Sequence, residues 1–131
     1  MRRQLIVISA ILLSTVLSGC ASNLARPTAA ADYGKPPENY EAIVKTHFEA
    51  QLKDPESARY KFSNPVKAYG NEGIAYGGGI RWMGYLVKVE VNAKNSFGGY
   101  VGYKPYLILF SGNSIYKEVS GDSHPLIHSV D

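Results

Sequence analysis

The stretch "RWMGYLVKVEVN", Arg81 to Asn92, decides the fold. Tyr85, Val87, Val89 and Val91 alternate with Lys88, Glu90 and Asn92, and a period of two predicts a half-buried β-strand. Downstream, "YLILF" (Tyr106 to Phe110) is apolar at every position and reads as an interior strand with both faces covered. Ser111-Gly112-Asn113-Ser114 is a hairpin signal with Gly-Asn as the two turn residues, and "IYKEV" returns from it to close the sheet.

Working upstream, "ARYKF" alternates, with Tyr60 and Phe62 on one side and Arg59 and Lys61 on the other. Pro65 ends this strand or confines it to an edge. Between Ala68 and Gly79 the chain is rich in glycine and reads as a loop or a short irregular strand. Residues 121–131 read as a frayed tail.

"KPPENYEAIVKTHFEAQLKDP", Lys35 to Pro55, is the one clear helix. Tyr40, Ile43, Val44, His47, Phe48, Gln51 and Leu52 recur at spacings of three and four, which marks one buried face. Pro36 and Pro37 suit the entry, and Glu38 and Glu41 sit early, where the helix dipole favours anions. Pro55 disfavours helical geometry at Asp54, so the helix stops near Lys53. Asp54-Pro55-Glu56 then has the form of a cap and first-turn proline opening a short helical turn. One amphipathic helix followed by an antiparallel sheet of three to four strands makes an α+β domain over residues 34–120, the helix packed on the sheet.

At the start of the chain, Arg2 and Arg3 precede an apolar run from Leu5 to Val16. The run falls short of the roughly 20 apolar residues of a membrane span and reads as a secretory signal over residues 1–19. Leu17-Ser18-Gly19-Cys20 follows it directly and resembles the lipobox of bacterial lipoproteins at all four positions. The resemblance implies cleavage before Cys20, a diacylated sulfur and an anchor in the membrane; Ala21 in place of aspartate implies the outer membrane, facing the periplasm. An ordinary cleaved signal is the alternative. Cys20 is the only cysteine, so no intrachain disulfide forms, and lipidation removes a thiol that would be out of place in an oxidising compartment. Residues 20–33, small and aperiodic, read as a flexible tether or a short Ala-rich helix.

Two positive charges of the net +3 belong to Arg2 and Arg3, which leaves +1 on the remainder. Neither nucleic acid nor an anionic surface is indicated, and export argues further against nucleic acid. All the aromatics, ten of them tyrosine, lie beyond the signal, which suits a thin fold with half-buried surfaces. The series "LKDPESARYKF", a Gly-rich segment and "VNAKNSFGGYVGYKPY" resembles a group of small, exported, functionally uncharacterised bacterial proteins across about Tyr40 to Phe110. That resemblance implies a fold and no activity.

Catalytic and metal chemistry find little support. His47 lies on the apolar helix face and reads as a packing residue. His124 and His128 are four apart, but Pro125 stands between them and no third ligand is near. Gly77-Gly78-Gly79 lacks the Lys-Ser/Thr and the following helix of a phosphate loop, and no G-x-S-x-G elbow occurs. Cap chemistry accounts for Asp54 and Glu56 better than an acid/base pair does. No enzyme activity, cofactor or metal is expected.

"VNAKNSFGGYVGYKPY", Val91 to Tyr106, remains the most distinctive stretch. Its glycines and asparagines suit positive φ at bends, and Phe97 and Tyr100 are placed to fold back over the sheet edge. That structural reading leads; the second reading displays Lys94, Asn95, Ser96 and Tyr100 at a tip, where an aromatic face and amides meet a partner. The expected function is a non-enzymatic module of an envelope complex that binds another envelope protein; the alternative is a module that binds cell-wall glycan.

Overall fold

The computed structural model describes residues 23–130. The signal read over residues 1–19, the Leu17–Cys20 tetrad and Ala21 lie outside the described residues.

Six strands form one antiparallel sheet: β1 (Arg59–Phe62), β2 (Val66–Asn71), β3 (Ile80–Asn92), β4 (Lys104–Ser111), β5 (Ser114–Ser120) and β6 (Ile127–Ser129). The order is β5-β4-β3-β2-β6, with β1 also paired to β3. This corrects the expected α+β domain with three to four strands. The described residues are mostly antiparallel sheet with one short α-helix, α1 (Tyr40–Glu49). Ten helical residues make a rod of about 15 Å, whereas β3 runs for about 40 Å. The helix therefore covers only part of one face.

β3 organises everything else. Along one edge it pairs first with β2, residues Ile80 to Leu86, and then with β1, residues Val89 to Asn92. β1 and β2 thus resemble one strand broken around Pro65, which has no N–H to give the ladder. Ser63 bridges the break: its N–H donates to the Lys88 carbonyl, and its Oγ accepts from the Lys88 N–H at 2.9 Å. β4 takes the other edge of β3, and β5 follows through a two-residue turn in which Gly112 has φ 58°.

The period of β3 sorts the core into two faces. Tyr85, Val87, Val89 and Val91 join Ile108 and Phe110 of β4 against Val44 and Phe48 of α1. Each such buried side chain contributes about 1.5–3 kcal/mol. Trp82 and Leu86 point the other way, with Ala68, Leu107 and Leu109. At Tyr116 the β5 register shifts by one residue, so Tyr116 joins Lys117 on this second face and stacks on Trp82, with centroids 6.0 Å apart. A polar tie also holds α1 to β5. His47 Nε2 lies 2.6 Å from Glu118 Oε2, and Gln51 Nε2 donates to the same oxygen at 2.9 Å. His47 is thus more than a packing residue.

The helix stops at Glu49, short of the expected Lys53, with the Gln51 and Leu52 N–H groups both donating to the Phe48 carbonyl. Asp54 makes no side-chain cap. Pro55–Ser57 forms a single 3-10 turn closed by Ser57 Oγ, which donates to the Asp54 carbonyl at 2.7 Å.

Both chain ends depart from the expected domain limits. The tail read as frayed crosses the second face at Gly121 to Leu126 and adds β6 beside β2, Gly70 opposite Ile127. At the other end, part of the segment read as a tether rests on the domain. The Ala25 N–H donates to the Gly78 carbonyl at 2.9 Å, and Asn71 Nδ2 donates to the Ala25 carbonyl at 2.8 Å. Tyr33 packs against the core that α1 covers, with Lys67 Nζ 5.8 Å from its ring centre.

Candidate functional site

The loop between β3 and β4, residues 93–103, is a folded object. Asn95 builds it from within: its N–H donates to the Gly99 carbonyl at 2.8 Å, and its carbonyl accepts from Gly98 at 3.0 Å. Its Oδ1 accepts from the N–H groups of Phe97 and Gly99, at 3.0 and 3.2 Å. Gly98 turns the chain with φ 79°, a region a β-carbon resists. Asn92 Oδ1 accepts from the Gly102 N–H at 3.1 Å and holds the loop's return. A second anchor lies outside the loop. Ser57 Oγ accepts from the Lys94 N–H at 2.9 Å, and the Ser57 carbonyl accepts from the Tyr100 hydroxyl at 2.9 Å. The 3-10 turn after α1 thereby clamps the base of the loop.

The four residues singled out in the sequence have different roles. Lys94 and Tyr100 face each other across an isolated bridge, with Lys94 Nζ 5.6 Å from the Tyr100 ring centre. Arg59 lies closer, its Cζ 4.4 Å from the same centre. Tyr100 is 39% exposed, but its hydroxyl and its cation contacts are directed to its own domain. Asn95 is internal scaffolding. Ser96 is exposed at the tip.

The sequence reading misplaced Phe97. It does not fold over the sheet edge; it is 96% exposed, the most exposed large apolar side chain among the described residues. The signal was present: a phenylalanine between Ser96 and Gly98-Gly99 belongs to no alternating run, so no face of the sheet calls for it. Val101 and Tyr103, on the loop's returning arm, are also exposed, and Lys61 Nζ stands 4.0 Å from the Tyr103 ring centre. The result is an apolar tip on a hydrogen-bonded base with a cationic flank.

A second feature, invisible in the sequence, lies on the second face. The crossing segment Gly121 to Leu126 and strands β2 and β5 enclose an open cleft of about 410 Å³, lined among others by Asn71, Glu72, Arg81, Trp82, Tyr116 and His124. Asn71 Nδ2 is committed to the carbonyls of Ala25 and Gly78, which leaves its Oδ1 buried with no donor among the described residues. The histidines have ordinary partners: His124 Nδ1 accepts from the Leu126 N–H at 3.2 Å, and His128 packs on Tyr69. Among the described residues no group of three or more His, Cys, Asp or Glu side chains is placed to hold a metal ion.

No family model matches this sequence, and comparison with curated proteins and with solved structures likewise gives no match.

Proposed function

We propose that this protein is a lipoprotein of the bacterial envelope, anchored through Cys20 and probing its surroundings with the 93–103 loop, and that it binds another envelope protein without catalysis. The observation behind the binding reading is Phe97. An almost fully exposed phenylalanine is costly in water, and here it stands on a loop that its own hydrogen bonds already hold. Pre-ordered apolar tips bind well because little conformational freedom remains to be lost on association. Lys94 and Arg59, both on the Tyr100 ring, add orientation and favour an acidic rim on the partner.

Binding of cell-wall glycan is the second reading, and the cleft favours it. Tyr116 stacked on Trp82 offers an aromatic wall for a sugar face. One experiment separates the two. A photoreactive benzophenone amino acid is placed at position 97 or 116 of the full chain in cells. A discrete protein adduct at 97 supports the first reading. Adducts to cell-wall material at 116, with none at 97, replace it by the second.

A further inference from the structure

The two ends of β3 differ in where the membrane anchor lies, and this orients the molecule. The inference rests on lipidation of Cys20. Asn23 is the third residue after Cys20, a span of at most about 11 Å. Asn23 and Leu24 are docked: the Asn23 carbonyl oxygen and the Leu24 Cα and Cδ2 all lie within 3.7 Å of where a β-carbon on Gly78 would stand. The backbone bond from Ala25 to Gly78 and the Asn71 amide on the Ala25 carbonyl fix the same segment. An anchor at Cys20 therefore has no more than this reach from the β2–β3 connection, residues 72–79, where the described chain begins. It cannot reach the 93–103 loop, which lies at the opposite end of a strand about 40 Å long.

That connection has an unusual surface. The Glu72 N–H donates to the Gly79 carbonyl at its base, and Ile74–Tyr76 forms a 3-10 turn at its crest. On this turn Ile74 is 54% and Tyr76 80% exposed, although both side chains are large and apolar in body. Arg81 at the start of β3 is exposed and lines the same cleft as Tyr76, and Arg26 is exposed on the docked segment, next to the Ala25 that bonds Gly78. An isoleucine and a tyrosine flanked by arginines match the boundary of a bilayer: the apolar groups enter the acyl region, the phenol hydroxyl stays wet, and guanidinium groups meet phosphates.

We infer that the 72–79 connection rests on the lipid surface that holds Cys20, with Ile74 and Tyr76 as its membrane contacts. The domain then stands on end. The Phe97 tip is directed away from the bilayer, toward whatever lies across the envelope space.

The test uses the full chain, matured in cells, purified and reconstituted into vesicles of phosphatidylethanolamine and phosphatidylglycerol. Tyr76→Cys, Ile74→Cys and Phe97→Cys each receive an environment-sensitive dye; an acylated Cys20 cannot react with it. Thermal melts confirm that each labelled chain is folded, and two positions on the connection guard against one of them failing. The expected result is loss of dye emission at 74 and 76 with nitroxide-bearing lipids and protection there from aqueous iodide, with the reverse at 97. Quenching of 74 and 76 by iodide alone, in a chain whose intact mass includes the acyl groups, overturns the inference and leaves the anchor standing. Protection from both quenchers means that protein, a second copy included, covers the connection, and this also overturns it. A chain without acyl mass removes the anchor and the inference together.

Discussion

The indole of Trp82 lies across Gly84, two residues further along the same face of β3. A β-carbon at position 84 would stand 2.8 Å from the indole Cζ2 and would also collide with the backbone carbonyl oxygen of Phe110. Neither neighbour yields easily, because Trp82 is held by its Nε1–H to Ser111 Oγ at 3.2 Å and Phe110 belongs to a paired strand. Gly84→Ala is therefore expected to destabilise the domain by about 1–3 kcal/mol, the usual range for overpacking. Gly70→Ala is the control, since its β-carbon would meet only ordinary contacts at 3.6 and 3.7 Å. Urea unfolding compares the two; equal midpoints would show that the close approach at Gly84 is not a constraint.

The loop glycines separate in the same manner. Gly98 has φ 79°, while Gly99 is not among the positive-φ residues. Gly98→Ala is expected to cost about 1 kcal/mol and Gly99→Ala much less. Asn95→Ala removes two side-chain hydrogen bonds and is expected to cost about 1 kcal/mol. Amide exchange at Phe97 and Gly99 should quicken in that variant. Unchanged exchange would mean that the loop is held by its backbone bonds alone.

How much of this was legible beforehand follows from where each element gets its stability. β3, β4 and the Ser111–Ser114 hairpin carry their own patterns, because burial on fixed faces selects alternating or wholly apolar residues and the turn demands glycine. β2 and β6 carry none. Gly70 and Asn71 are poor strand formers, and the three residues of β6 follow Pro125; both strands exist because a neighbouring edge offers hydrogen bonds. The docking of Ala25 on Gly78 is likewise backbone to backbone, which side-chain identity does not encode. Within the candidate site, the asparagine–glycine chemistry of the loop was readable. The clamp by Ser57 was not, because it depends on a contact 43 residues away in sequence, between Tyr100 and Ser57.

Tyr60 gives a pH prediction. Its hydroxyl is buried with no hydrogen-bond partner among the described residues, and desolvation, with the Glu49 carboxylate as a smaller cause, raises its pKa above the ordinary phenol value. The folded phenol keeps its proton at a pH where the unfolded one loses it, so the unfolded state binds fewer protons and stability falls as pH rises. The loss begins above about pH 10, where free tyrosine ionises. Tyr60→Phe should flatten this alkaline fall and, by removing an unsatisfied polar group, be neutral or stabilising by about 1 kcal/mol. Thermal melts from pH 7 to 11 check both parts. A phenylalanine variant that melts well below wild type at neutral pH would show that the hydroxyl has a partner after all.

The anchor has its own test. Cys20→Ser is expected to abolish lipid attachment, so that precursor accumulates and mature protein disappears from the detergent-soluble membrane fraction. Intact mass and fractionation read this directly. Normal maturation of the serine variant at the same site, or persistence of lipid on it, would contradict the lipobox.

The final prediction concerns the tip. Phe97→Ser alters a side chain that touches almost nothing in its own domain, so its melting temperature should match wild type. Burial of a phenylalanine against a partner is worth about 1.5–3 kcal/mol, which corresponds to a loss of affinity of roughly ten- to hundredfold. Tyr100→Phe serves as the contrast, because it gives up the bond to the Ser57 carbonyl while keeping the ring under Arg59. It should lower stability slightly and change binding little. Lys94→Ala removes a cation from the flank and should weaken association mainly at low salt, where charge steering is least screened. Co-purification from cells with each variant, scored beside its melting curve, decides the matter. If Phe97→Ser keeps every wild-type partner, the exposed ring is not the contact, and the loop is a clasp that happens to carry a phenylalanine.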